Sequence, residues 1–216
     1  MPAAANPTPD AILLITAECP HCPKVLEGLS QLVKRGSLGR LQIINLARHP
    51  QAAQQYGSRS VPWFRIGELD FQGLHSNEEL RHWADVANSD KGVREYLIQS
   101  LKDGQLLQVE EKIRTLPHWL PLLISIIDDM EAPMQARIGV GALLESITGS
   151  ELLLPAIPAL GKLTQHADHR VRGDACYYLG LTRARDAIVH LTACLHDANS
   201  EVQEIAHEAL TMVPVH

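Results

Sequence analysis

The sequence predicts an α/β domain, ordered β-α-β-α-β-β-α, followed by an all-α superhelical domain. Three observations carry that expectation. Apolar runs of strand length alternate with helically spaced apolar residues up to about residue 88. No convincing strand follows the polar break Asn88-Ser89-Asp90. Part of the second half repeats itself at a shift of 31 residues. The domains are accordingly expected at 1–88 and 89–216.

In the first domain, the apolar run 11–16 and the run 41–46 read as strands. Val25, Leu29, Leu32 and Val33 recur between them at helical spacing. Strand, helix, strand implies a right-handed crossover and a parallel pair. A short polar helix is expected at about 49–56. Residues 61–66 form a third strand, and Gly67-Glu68 turns the chain into a fourth at 69–73. Ser76 with Glu79 three residues later signals a capping box and a helix to about Val86.

The second half reads as helices at about 91–102, 105–115, 118–130, 133–147, 152–165, 168–181, 184–195 and 199–212. Prolines 117, 121, 133, 155 and 158 sit at helix starts or between helices, where a missing N–H costs least. The 31-residue shift places Ile157 on Ile188, Leu160 on Leu191, Leu163 on Cys194, Asp168 on Asn199, Val171 on Val202, Ala175 on Ala206 and Leu179 on Leu210. A less regular copy at 118–147 uses Ala136, Val140 and Leu144. The repeats thus lie at about 118–147, 152–181 and 184–212.

Charge narrows the classes of partner. The first 89 residues balance eight Lys/Arg with eight Asp/Glu, so the net charge of −6 falls entirely in the second half. That acidity argues against nucleic acid or an anionic membrane, which need clustered cations. No run approaches the ~18 consecutive apolar residues of a membrane span. Met1 to Asp10 contains no Lys or Arg ahead of the apolar run, so a secretory signal is not expected and a cytoplasmic location is.

Of the four cysteines, Cys176 and Cys194 lie singly within helical patterns, and Cys194 aligns with Leu163 as a core position. Cys19-Pro20-His21-Cys22 instead falls between a strand and a helix. The first cysteine then sits at a helix N-terminus, where unpaired N–H groups favour its thiolate. Cys22, one turn on, can attack a mixed disulfide and release the product. Cys19 is the expected nucleophile and Cys22 the resolving thiol. Pro20 is expected in the first helical turn, His21 adds positive charge beside the thiolate, and Glu18 opposes it. Metal binding is the competing reading. One CxxC supplies two of the four ligands of a closed zinc site, and His49 and His75 lie in other elements.

Pro62 needs its own explanation, because proline inside a central strand is disfavoured. Together with Cys-Pro-His-Cys-Pro at 19–23 and Tyr56-Gly57, Val61-Pro62 makes residues 11–86 resemble the thioredoxin/glutaredoxin superfamily. The resemblance implies a redox-active Cys19–Cys22 disulfide and no separate cofactor. It further implies a cis proline at Pro62 packed beside the CxxC, with Val61, Pro62 and Trp63 docking an extended substrate chain. Glu18 stands where thioredoxins carry Trp, and no acid lies in the 11–16 strand. Gly73-Leu74-His75-Ser76-Asn77 differs from the glutathione signature of glutaredoxins.

Residues 168–180 (DHRVRGDACYYLG) resemble the second helix of a HEAT-type repeat. Asp168, Val171, Arg172, Ala175 and Leu179 fall on its pattern. The next copy carries Asn199 for the Asp and Gln203 for the Arg. This resemblance implies an α-solenoid that binds a protein partner. The expected function is thiol–disulfide exchange on a protein disulfide or dithiol, served by an external reductase or oxidant, with the repeats selecting the partner. The alternative is a non-catalytic adaptor built on a redox-type fold.

Overall fold

The computed structural model describes residues 7–214. The first six residues and the last two, which the expected domain spans include, lie outside the described residues. The chain divides into two units, Met1–Val93 and Arg94–His216, a few residues beyond the polar break at 88–90.

The first unit runs β1 (Ala11–Ile15), α1 (Cys22–Arg35), β2 (Leu41–Asn45), α2 (Gln51–Gln55), β3 (Trp63–Ile66), β4 (Leu69–Gln72), α3 (Asn77–Val86). The sheet order is β2-β1-β3-β4. β1 pairs in parallel with β2, as the crossover requires, and antiparallel with β3. β1 is therefore central, and Ala11, Leu13 and Leu14 are buried. Alternation divides the core between the two sheet faces. On one, Leu14 and Trp63 close over Ala52 of α2. Gly28 of α1 lies so near α3 that a Cβ there would meet Leu80 at 2.5 Å.

The punctuation is legible in atoms. Gly36 ends α1 with φ +78°, and Ser37 N–H returns to Leu32 O at 3.0 Å. Gly67 takes φ +58° in the two-residue turn between β3 and β4. Ser76 Oγ accepts from Glu79 N–H at 3.2 Å while Glu79 Oε2 accepts from Ser76 N–H at 2.7 Å, closing the capping box. One expectation is corrected here. Val61 and Pro62 precede β3 rather than open it, because Pro62 lacks the N–H that a ladder position needs.

The next helices are α4 (Asp90–Lys102), α5 (Leu106–Thr115), α6 (Leu120–Ile124), α7 (Met134–Ser146), α8 (Ile157–Leu163), α9 (His169–Leu181), α10 (Ile188–Cys194) and α11 (Ser200–Met212). The expected single helix over 118–130 is corrected: a 3-10 turn at 117–119 precedes α6, and turns follow it to Pro133. Ser125 and Asp129 there are held by Arg94 of α4. Likewise the expected helix at 152–165 is a 3-10 segment, 151–156, containing Pro155, then α8.

The repeat is physical. Asp168 and Asn199 each cap their helix, accepting from Arg170 N–H and from Glu201 N–H, both at 2.9 Å. Val171, Ala175, Leu160 and their partners Val202, Ala206, Leu191 are all buried. Arg172 sends two bonds of 2.7 Å to Asp197 in the following repeat, and its third nitrogen donates to His166 and Ala167 carbonyls. Gln203 retains only the local half of this pattern, donating to the Asp197 carbonyl.

These pairs give the second unit a pH dependence. Arg114 holds Glu110 below the usual carboxylate range. Arg94, Arg170 and Arg172 do the same for Asp129, Asp168 and Asp197. A carboxylate whose pKa is lowered by folding stabilises above its unfolded pKa, about 4, and loses that contribution as pH falls through the folded value. Asp174, raised by desolvation, acts in the opposite sense, one group against four. The urea midpoint of the second unit is expected to fall between pH 5 and pH 3. Arg172→Gln should flatten that fall, and a midpoint indifferent to pH would show that the pairs contribute nothing.

Candidate active site

Cys19 follows β1 through a short turn, and Cys22 is the first residue of α1. They form a disulfide with Cα atoms 5.5 Å apart. The Cys22 N–H donates to Cys19 Sγ at 3.1 Å. This is one of the donors that a helix N-terminus leaves unpaired, and it points at the sulfur expected to carry charge. Both residues are buried, Cys19 at 9% exposure and Cys22 at 3%.

The tuning residues are placed less uniformly. Pro20 is corrected from the first helical turn to the exposed turn before the helix. His21 is the N-cap residue, exposed, with no side-chain capping bond. Pro23 occupies the second helical position, where its missing N–H is one of the orphans anyway. Its signal was present as the last residue of Cys-Pro-His-Cys-Pro. Glu18 is exposed in the turn ahead of Cys19.

The Val61–Pro62 bond is cis. Pro62 O accepts from Gly73 N–H at 2.8 Å. Among the described residues, Val61 makes no backbone–backbone hydrogen bond and is half-buried. Trp63 is different. Its side chain is 2% exposed, packed on Leu14 and Ala52, with its ring 5.4 Å from that of Tyr56. The ring is core, which corrects its expected role as a docking surface. Arg65, which sequence reasoning passed over, lies across the Tyr56 and Trp63 rings at 5.7 and 5.5 Å. The strand position two after Trp63, on the same face, was its available signal.

Among the described residues, no group of three His, Cys, Asp or Glu side chains stands together as a metal cluster. His190, four residues before Cys194, instead lies over Gly161, where a Cβ would meet its ring at 2.4 Å. No helix among the described residues is long and apolar enough to cross a membrane.

The family model for thioredoxin domains matches residues 11–85. That for HEAT repeats matches residues 120–211. The N-terminal part is thus thioredoxin-like and is fused to helical repeats. No curated protein matches the chain.

Proposed function

We propose that this chain, a thioredoxin-like domain fused to HEAT repeats, is a thiol–disulfide oxidoreductase acting on protein disulfides in the cytoplasm. The observation that carries the reading is the Cys22 N–H directed at Cys19 Sγ, with Cys19 the more exposed of the two cysteines. That donor favours the thiolate, the species that attacks.

In the reducing direction, the Cys19 thiolate attacks one substrate sulfur. A mixed disulfide forms, and the other substrate sulfur leaves as a thiolate that takes up a proton. Cys22 loses its proton and attacks Cys19 Sγ. The 19–22 disulfide forms, and the second substrate thiol is released. An external dithiol returns the pair to its reduced state, so no bound cofactor is required. The Val61 backbone, which makes no backbone–backbone hydrogen bond among the described residues, supports strand-like docking of a substrate segment. His21 and Glu18 adjust the Cys19 thiolate in opposite senses. The repeats select the protein that carries the disulfide.

The test uses the full chain with dithiothreitol and insulin. The protein should accelerate insulin reduction beyond the dithiol alone, and trapping with acid should recover both reduced and 19–22-linked forms. A chain that never forms the 19–22 disulfide and adds nothing to the dithiol rate would overturn the enzyme reading. Partner binding unchanged in Cys19→Ser/Cys22→Ser would then favour an adaptor.

A further inference from the structure

The second unit leaves a continuous face of apolar and acidic side chains uncovered. On α7, Met134 and Ile138 stand one turn apart, 70% and 65% exposed, and exposed Ala142 continues the stripe. Glu145, two turns beyond Ile138, accepts a hydrogen bond from Tyr177 Oη of α9 at 3.1 Å. The face therefore runs on to α9, where exposed Asp174 lies one turn before half-buried Tyr177. α9 meets α11 through glycine. A Cβ on Gly173 would lie 3.0 Å from Ile205, and one on Gly180 would meet Ala209 and Met212. Ile205 and Met212, with Glu201, Glu204 and Glu208 in the same helical phase, carry the face onto α11.

Polarity changes across this face. The α7 side is apolar, whereas the α11 side carries three exposed carboxylates, Glu201, Glu204 and Glu208. Elsewhere in the unit, Glu110, Asp129, Asp168 and Asp197 are each held by an arginine. Among the described residues, the carboxylates of Glu201, Glu204 and Glu208 have no hydrogen bond or ion pair. The neighbouring cations are already engaged. Arg170 binds Asp168 at 2.7 Å, and half-buried Arg137 of α7 acts on Asp174. A group that covers both halves must be apolar on one side and cationic on the other. An apolar partner without cations would desolvate three unpaired carboxylates.

We propose that this face docks a basic amphipathic segment of a partner protein. Its apolar side lies on Met134, Ile138 and Ala142, and its Lys or Arg side chains face Glu201, Glu204 and Glu208. The proposal rests on the reading that the repeats select the partner, and it gives that partner a chemistry. Tyr177, midway across, suits an apolar side chain or a cation. Charge complementarity decides between occupants. A second copy of the chain would bring a unit of like charge, since the net charge of −6 falls in the second half. Nucleic acid and anionic membrane are repelled by the same carboxylates. A basic segment neutralises them while covering the apolar stripe.

The test uses the full chain and two synthetic peptides of one amphipathic pattern, with Leu on one side and either Lys or Glu on the other. The Lys peptide should bind and the Glu peptide should not. Glu204→Lys/Glu208→Lys should weaken the Lys peptide about tenfold, and Ile138→Ser about fivefold. Glu151→Lys/Asp186→Lys makes the same change of net charge in the 3-10 turns ahead of α8 and α10, and should leave binding within about twofold. A benzophenone on the apolar side of the Lys peptide should label Met134 or Ile138 of the wild-type chain on irradiation, which locates the site without a variant. Absence of binding, equal weakening by the two double reversals, indifference to Ile138→Ser, or labelling confined to residues outside α7 would each overturn the proposal. A chain that sediments as a dimer dispersed by Ile138→Ser would give the face to a second copy and overturn it as well. The readout is binding, so the outcome is independent of whether the chain reduces insulin.

Discussion

Cys22→Ser will accumulate mixed disulfides between Cys19 and its protein substrate, and turnover will cease. Removing the resolving thiol leaves the first displacement intact and deletes the second. Cys19→Ser should also abolish turnover but trap nothing, because the remaining cysteine is the more buried of the two, at 3% exposure. Non-reducing gels followed by mapping of the linked cysteine distinguish the two. Adducts through residue 22 in the Cys19→Ser chain would reverse the assigned roles. Adducts in neither variant would remove the covalent step altogether.

Trp63→Ala will cost the first unit about 3–5 kcal/mol, the range for deleting a large buried aromatic ring. Domains of this size carry about 5–15 kcal/mol in total, so the variant will stand near unfolding. The cavity opens between Leu14 of the central strand and Ala52 of α2. One ring and one guanidinium lose a neighbour as well, since Tyr56 packs on Trp63 and the Arg65 guanidinium spans both. Trp63→Phe keeps an aromatic surface and should lose less. Hydrogen exchange of the amides in 11–15 and 63–66 measures the effect, with protection falling in the order wild type, Phe, Ala. A Trp63→Ala protein with unchanged protection and a raised KM for insulin would return the ring to the substrate surface.

The first unit was readable because its signals are local. Strand-length apolar runs, one helical stripe, Ser76 with Glu79, and Gly67 each constrain a few neighbouring residues, and β1, α1, α3 and the hairpin follow from them. The site cysteines were readable for the same reason, since a strand followed by CxxC and a helix places two sulfurs one turn apart. What failed was the fine position of prolines. Pro20 and Pro23 both suit the start of a helix, and α1 begins between them at Cys22. The family resemblance implies a docking role for Trp63, whereas strand alternation sends its ring into the core beside Leu14.

In the second unit, the 31-residue shift found the inner faces of α9 and α11 because Val, Ala and Leu recur at the same phase. It could not show that the first helix of each pair begins as a 3-10 segment, because Pro155 is compatible with either winding.

The Arg172 side chain has a mechanical consequence. One guanidinium grips the carbonyls of its own turn and the carboxylate of the following repeat, while Gln203 grips only its own turn. A load that peels α10 and α11 away from α9 must therefore break this bidentate link as well as the buried apolar packing of α11 on α9. That link ties the last helix pair to its neighbour at one polar point, where Gln203 offers no counterpart for a further repeat.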